Sequence, residues 1–283
     1  MKTAVDAQFS FEYFPPRTAE GETSLLNTHK QLMALLPHYF SVTYGAGGST
    51  RDGTRRIVLE LSAQGSTVAP HLSFGTSSAA EVLSLLQSYR DAGINRLVAL
   101  RGDIPSGMGT GGQSRYAAEL VAFVRQHFAD QFHIDVACYP EVHPQAESYD
   151  ADLAFFKQKV DAGADSAITQ YFYNTDAYFR FRDNCSKTGI GIPIVPGIMP
   201  ITNYARLARF SANCGAEIPR WMRKRLEGFG DDAASIRAFG IDTVSSLCET
   251  LLQGGAPGLH FYCMNQASPA MDIWRNLKLS VTR

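Results

Sequence analysis

Phe9-Ser10-Phe11 runs into Glu12, and seven further short apolar runs end the same way, in residues suited to chemistry. Phe40-Ser41-Val42 runs into Thr43, Val68-Ala69-Pro70 into His71, and Leu97-Val98-Ala99-Leu100 into Arg101-Gly102-Asp103. Ile134-Asp135-Val136-Ala137 leads to Tyr139-Pro140-Glu141, and Ala167-Ile168-Thr169 to Gln170. Ile194-Val195-Pro196-Gly197-Ile198 leads to Met199-Pro200, and Leu259-His260-Phe261-Tyr262 to Met264-Asn265. Amphipathic, helix-length segments separate most of these runs, the pattern of parallel βα units. Eight units in 283 residues predict an α/β fold, one closed (β/α)8 TIM barrel over residues 1–283. The working side chains of such a barrel sit at the C-terminal ends of its strands.

The spacing predicts helices over Glu20 to Leu36, Arg51 to Ala63, Ala79 to Ala92 and Arg115 to Phe128. Others are predicted over Ala151 to Ala162, Thr175 to Lys187, Tyr204 to Asn213 and Asp232 to Leu252. Val82, Leu85, Leu86 and Tyr89 recur at helical spacing and should face the barrel. Asp91-Ala92-Gly93 and Asp161-Ala162-Gly163 read as helix ends whose glycines take positive φ. Two connections break the rhythm: the glycine-rich loop Ile104 to Ser114, and Asn213 to Asp231, a short helical insertion with Pro219 and Trp221. Long connections of this kind usually carry function.

Charge is nearly balanced, 26 Lys and Arg against 27 Asp and Glu, so nothing predicts electrostatic capture of nucleic acid or an anionic membrane. The five cysteines are scattered without a C-x-x-C pair, against a disulfide framework or zinc ribbon. Cys138 and Cys263 fall in strand-like runs as small buried hydrophobes. With no apolar leader and no bilayer-length apolar stretch, a cytoplasmic protein is expected.

At the strand ends, Glu12 lies among aromatics in Phe11-Glu12-Tyr13-Phe14-Pro15-Pro16-Arg17. Desolvation there should raise its carboxyl pKa and keep it protonated near neutral pH, ready to act as an acid. The competing reading is a surface glutamate paired with Arg17. Arg101-Gly102-Asp103 offers a cation, bare backbone and an anion to a ligand, or an ion pair across a loop. Glu141 and His143 lack a third ligand at diagnostic spacing, so an organic cofactor is expected rather than a metal. Tyr44-Gly45-Ala46-Gly47-Gly48-Ser49-Thr50 resembles a phosphate-cradling loop but lacks the Walker lysine. Gly107 to Gly112 has the wrong spacing for a dinucleotide fingerprint and reads as a flexible lid. His71 is a ligand contact or a satisfied core histidine, and Gln170 a heterocycle contact or an interior barrel residue. Tyr171, Phe172 and Tyr173 read as packing, and Phe210, at helical spacing from Leu207, as core.

These runs resemble, in order, those of the short bacterial methylenetetrahydrofolate reductases. The matching stretches are residues 9–16, 42–50, 100–103, 139–144, 167–172, 196–200 and 259–262. The resemblance implies a catalytic barrel that binds FAD and folate, takes hydride from NADH or NADPH onto flavin N5, and releases the nicotinamide. Methylenetetrahydrofolate then enters, opens to an iminium and receives the hydride, giving 5-methyltetrahydrofolate. It implies Glu12 as the acid that protonates the folate nitrogen and Asp103 as the carboxylate that stabilises the iminium. Gln170 would hydrogen-bond the folate, and Phe210 would stack on folate or nicotinamide. Thr43, His71, Arg101, Gly102, Asp103, Tyr116, Ala117, Tyr139, His143, Asp152 and Lys159 would contact FAD, with Arg101 and Lys159 on the diphosphate. A homo-oligomer is expected on the same ground.

Three positions depart from the family pattern. Gln266 stands where an arginine usually contacts the substrate, and Arg206 where a glutamine is expected. An arginine exchanged across the folate site would meet the same tail carboxylate. Phe155 replaces a polar flavin contact. With the chain ending at Arg283, the eukaryotic regulatory domain and feedback by S-adenosylmethionine are not expected. Three rivals are a related flavoenzyme barrel with another substrate, such as a proline dehydrogenase relative, a non-catalytic folate-binding protein, and a flavin-free reductase. Gln170 and the Glu12 motif oppose the first, retention of both Glu12 and Asp103 opposes the second, and Phe155 alone favours the third.

Overall fold

In strand β1 (Gln8–Tyr13) the side chains of Phe9, Phe11 and Tyr13 turn to one face and those of Ser10 and Glu12 to the other, as strand geometry requires. The computed structural model describes residues 7–44, 51–75, 77–101 and 116–279. Parallel pairing continues through β2 (Tyr39–Val42), β3 (Val68–Leu72), β4 (Arg96–Ala99), β5 (His133–Cys138) and β6 (Ser166–Thr169). On the other side β1 pairs with the last strand, β9 (Gly258–Tyr262).

The predicted seventh run forms two short strands, β7 (Ile194–Val195) and β8 (Gly197–Ile198), parted by Pro196. β7 pairs with β6 and β8 with β9, so this one segment closes the barrel. Proline has no N–H to give a ladder, which accounts for the break, while its carbonyl still accepts from His260 N at 2.9 Å. Gly197 is required here, because a Cβ would lie 2.2 Å from the Thr169 carbonyl oxygen and 2.6 Å from the Tyr262 ring.

The helices are α1 (Ala19–Met33), α2 (Arg51–Ala63), α3 (Ala79–Asp91), α4 (Ala117–Phe128), α5 (Tyr149–Asp161), α6 (Thr175–Lys187), α7 (Tyr204–Cys214), α8 (Arg220–Gly228), α9 (Ala233–Gln253) and α10 (Ala267–Asn276). α5 starts two residues earlier than expected because Ser148 caps it by accepting from Ala151 N. α1 stops three residues short of Leu36, which adopts a φ of 51°. Gly93 and Gly163 do take positive φ, at 78° and 111°. α10 has no counterpart among the predicted helices. It carries Pro269 in its first turn, where a missing N–H costs nothing, and sets Trp274 edge-on against Phe9 at 4.7 Å. Among the described residues no helix is long and apolar enough to cross a membrane.

Two cores result. Between strands and helices lies the large one, holding Phe9, Phe11, Tyr13, Phe40, Val42 and Phe261, and also Val82, Leu85, Leu86 and Tyr89 of α3. Inside the barrel lies a small one of Tyr39, Ala69, Val98 and Ile168, with Leu100 and Tyr262 packed on it. Toward the N-terminal ends of the strands the interior is ionic. Arg96 grips Asp135 with two hydrogen bonds, of 2.7 and 2.9 Å, and its guanidinium lies 3.9 Å from the Tyr39 ring centre.

Burial drives the fully enclosed Asp135 carboxyl upward, but His133 and Arg96 overcome that and hold it at about 2. A carboxylate depressed in the folded state stabilises above its unfolded pKa, and this is lost as pH falls through the folded value. Stability should therefore decline from about pH 4, the ordinary aspartate range, downward. Asp135→Ala should cost roughly 3–5 kcal/mol at neutral pH, since it leaves Arg96 enclosed without its counter-charge, and should shrink that acid decline. Urea unfolding at both pH values measures the two effects.

Candidate active site

Strand alternation and barrel closure bring four interior side chains around Glu12 near the C-terminal ends of β1, β2, β3 and β9. His260 Nε2 stands 3.3 Å from Glu12 Oε2, and Ser41 Oγ donates to the same oxygen at 3.5 Å. His71 Nε2 lies 3.2 Å from it too, out of line for a hydrogen bond. Ser10 Oγ meets His260 Nδ1 at 2.7 Å. All these contacts fall on Oε2. The Glu12 side chain keeps 16% exposure, whereas that of His260 is wholly enclosed.

This arrangement overturns two sequence expectations for Glu12. It does not pair with Arg17, and its carboxyl is not raised. Burial pushes it up, as the aromatic flanks suggest, but the nearby His71 imidazole and the bond from His260 pull it down to about 2. The flanking aromatics, Phe11 and Tyr13, point away into the outer core. The groups that decide its charge come from other strands.

Around this centre the remaining predicted residues take up distinct places. Thr43 Oγ1 is buried without a partner among the described residues, as is His71 Nε2. Lys159, on α5, donates to the Ala137 carbonyl, and burial lowers its pKa. Asp152 accepts from His143 N at 2.8 Å, and the His143 ring stands edge-on to Tyr139 at 4.6 Å. Arg101 reaches Gln145 on the same loop side. Ala117 is buried at the start of α4, beneath an exposed Tyr116 that stacks on Phe155 at 6.1 Å and 11°. Gln170 Oε1 accepts from Tyr171 N. Phe210 is exposed, against the core reading of its spacing and compatible with the stacking role that the resemblance implies. Arg206 and Gln266 are exposed, in the first turn of α7 and at the N-cap of α10. Gly102, Asp103, the glycine-rich loop and Gly45 to Thr50 lie outside the described residues.

Large apolar side chains exposed to solvent gather on this same side. Phe14, Val142 and Met264 follow β1, β5 and β9, and Tyr116, Phe155 and Phe210 lie at or within two turns of helix starts. Such a concentration, around a few polar groups, suits a flat, largely apolar ligand.

The family model for methylenetetrahydrofolate reductase matches residues 2–278. The chain belongs to the methylenetetrahydrofolate reductase family. The Escherichia coli K12 5,10-methylenetetrahydrofolate reductase is 40% identical over 95% of this chain and 90% of its own length. A probable methylenetetrahydrofolate reductase (NADH) of Oryza sativa subsp. japonica is 39% identical over 96% of this chain, which spans 48% of that protein. Among solved structures, an uncharacterised Clostridium thermocellum protein that binds two copies of 5-methyl-5,6,7,8-tetrahydrofolic acid shares the fold. Its TM-score is 0.68 at 17% identity, over 97% of this chain and 96% of that one.

Sequence reasoning passed over several residues of this candidate site: His260, Ser10, Ser41, Tyr262 and Asn265. The signal was present for His260, a polar residue between Leu259 and Phe261 at the interior phase of its strand. Asn265 carries no periodic signal. It takes a φ of 54° and clasps the Phe14 backbone through both ends of its amide, at 3.0 and 2.8 Å. Removing the His71 imidazole takes away one of the two groups that oppose burial at Glu12. His71→Ala should therefore raise the Glu12 carboxyl by about a unit or more, read as a shifted carboxylate band in pH-dependent difference infrared spectra of ligand-free protein.

Proposed function

We propose that the protein reduces 5,10-methylenetetrahydrofolate to 5-methyltetrahydrofolate, with electrons from NADH or NADPH passed through FAD in a ping-pong sequence. The observation that carries this reading is Glu12: a partly buried carboxylate whose hydrogen bonds among the described residues all fall on one oxygen, near the strand ends where several aromatic side chains are exposed. The name of the rice relative makes NADH the donor to try first. The tetrahydrofolate bound by the clostridial protein of the same fold is in keeping with a folate substrate.

The residues present fit FAD. Thr43 Oγ1 and His71 Nε2 are buried polar atoms without a hydrogen-bond partner among the described residues. Lys159 and Arg101 bring cations suited to a diphosphate, His143 and Asp152 are fixed to one another, and Tyr116 with Phe155 offers an apolar surface where the family has a polar contact. Bound flavin would supply a two-electron relay between nicotinamide and folate. Glu12 holds the proton that goes to the folate nitrogen as the ring opens. A ligand closing over Glu12 removes its remaining water, strengthening the burial that favours the neutral acid. In this reading Asp103 would supply the negative charge that stabilises the iminium, Gln170 would hydrogen-bond the folate, Phe210 would stack, and Arg206 would take the tail carboxylate that Gln266 cannot.

Anaerobic titration tests the whole reading. NADH should bleach the flavin band of the holoprotein, and methylenetetrahydrofolate should restore it. Glu12→Gln should still bleach but recover about a hundredfold or more slowly, the usual worth of a general acid. A flavin that bleaches and is never reoxidised would redirect the substrate search, and a protein that takes up no FAD would remove the flavin mechanism. Arg206→Ala should weaken folate binding about tenfold, the loss of one charge-assisted hydrogen bond. Unchanged affinity would discard the exchanged arginine.

A further inference from the structure

We propose that His260, locked by Ser10, is a positioning residue for Glu12: it ties down Oε2 and leaves Oε1 as the oxygen that meets the substrate. The inference rests on the reading of Glu12 as the acid. It assigns a role to two residues that the proposed chemistry does not otherwise use, Ser10 and His260, both buried at the junction of the first and last strands.

Beside an ionised Glu12, His260 Nε2 must carry its hydrogen and donate, since a bare nitrogen lone pair would face the carboxylate charge. With the ring hydrogen on Nε2, Nδ1 is the acceptor for the Ser10 hydroxyl 2.7 Å away. That bond fixes the tautomer and the ring plane together. The ring is further held between Tyr39, at 6.1 Å and 25°, and Tyr262, edge-on at 5.3 Å. Tyr262 is held in turn by donating to the Thr169 carbonyl at 2.7 Å. Sheet register makes the alignment inevitable, because Ser10 lies opposite His260 and Glu12 opposite Tyr262.

The neighbouring histidine does not duplicate this role. His71 Nε2 is as close to Oε2 but poorly aligned. Ser41 is at the limit of hydrogen-bond distance. His260 is therefore the aligned, rigidly supported donor. Glu12 has a flexible side chain, and without that anchor its two oxygens exchange places and the working oxygen leaves the mouth. The other titratable groups facing the pair are Tyr39 from β2, His71 from β3, Tyr262 from β9 and Cys263 just after it. The Arg96–Asp135 ion pair lies beyond Tyr39.

The experiment compares FAD-loaded wild type with His260→Ala, His260→Gln, Ser10→Ala and Glu12→Gln by stopped flow, timing bleaching by NADH separately from recovery on methylenetetrahydrofolate. Positioning of the acid concerns recovery alone. His260→Ala should lower the recovery-to-bleaching ratio about thirtyfold, and Ser10→Ala about fivefold, within the range of a misplaced general acid. His260→Gln, whose amide can donate to Oε2 from a similar place, should restore most of the ratio. In ligand-free protein, infrared titration should show the Glu12 carboxyl raised in His260→Ala and partly returned in His260→Gln.

An equal fall in both half-reactions, or no rescue by glutamine, would overturn the proposal in favour of a packing role. A slow Glu12→Gln beside an unimpaired His260→Ala would overturn it while leaving the acid intact. A Glu12→Gln variant at full recovery rate would instead remove the acid reading itself and this inference with it. Should His260→Ala fail to fold, the Ser10→Ala and His260→Gln ratios decide.

Discussion

A carboxylate inside a barrel survives only if the surrounding strands supply charge or donors to match it, as the enclosed Asp135 and the largely buried Glu12 both show. Asp135 is matched by Arg96, and Glu12 by His71 and His260. Between them runs a continuous column: guanidinium on the Tyr39 ring, Tyr39 on the His260 ring, His260 on Glu12. Each member comes from a different strand from the next. The barrel must therefore close in the correct register for any of these groups to be satisfied, and a slipped strand would leave a buried charge alone. The ionic end and the chemical end of the interior are thus parts of one arrangement.

The closing segment shows how tightly that register is drawn. Pro196 breaks the ladder, yet its carbonyl holds His260 N, and Gly197 lets the Thr169 carbonyl and the Tyr262 ring approach where any side chain would collide. Thr169 Oγ1 accepts from Gly197 N at 2.9 Å, and Tyr262 donates to the Thr169 carbonyl. The seam that shuts the barrel therefore also holds the strand carrying His260 beside the strand carrying Glu12. Closure and site geometry have a common physical origin.

Much of this was legible in the sequence. Alternation in Phe9-Ser10-Phe11-Glu12 assigns Ser10 and Glu12 to one face, and the strand ends name Thr43, His71, Arg101 and Gln170 as candidates. The split seventh strand was hidden, because a run of five residues gives no sign that Pro196 will interrupt pairing on both sides. Helix α10 was hidden by Pro269, which reads as a breaker unless it falls in the first turn. Phe210 has the spacing of a core residue, but only the assembled surface reveals that it stays exposed among the described residues.

The sequence alone determined most of the elements and which residues of the long strands point inward, because pleat and helix periodicity are local properties of the backbone. It did not determine the state of Glu12. Local aromatics argue for a raised, neutral carboxyl. The folded protein turns those rings outward and brings His260, 248 residues away in the chain, and His71 against the carboxylate. Desolvation can be guessed from neighbours in sequence, but Coulomb interaction and hydrogen bonding depend on neighbours in space. Only the closed barrel decides those.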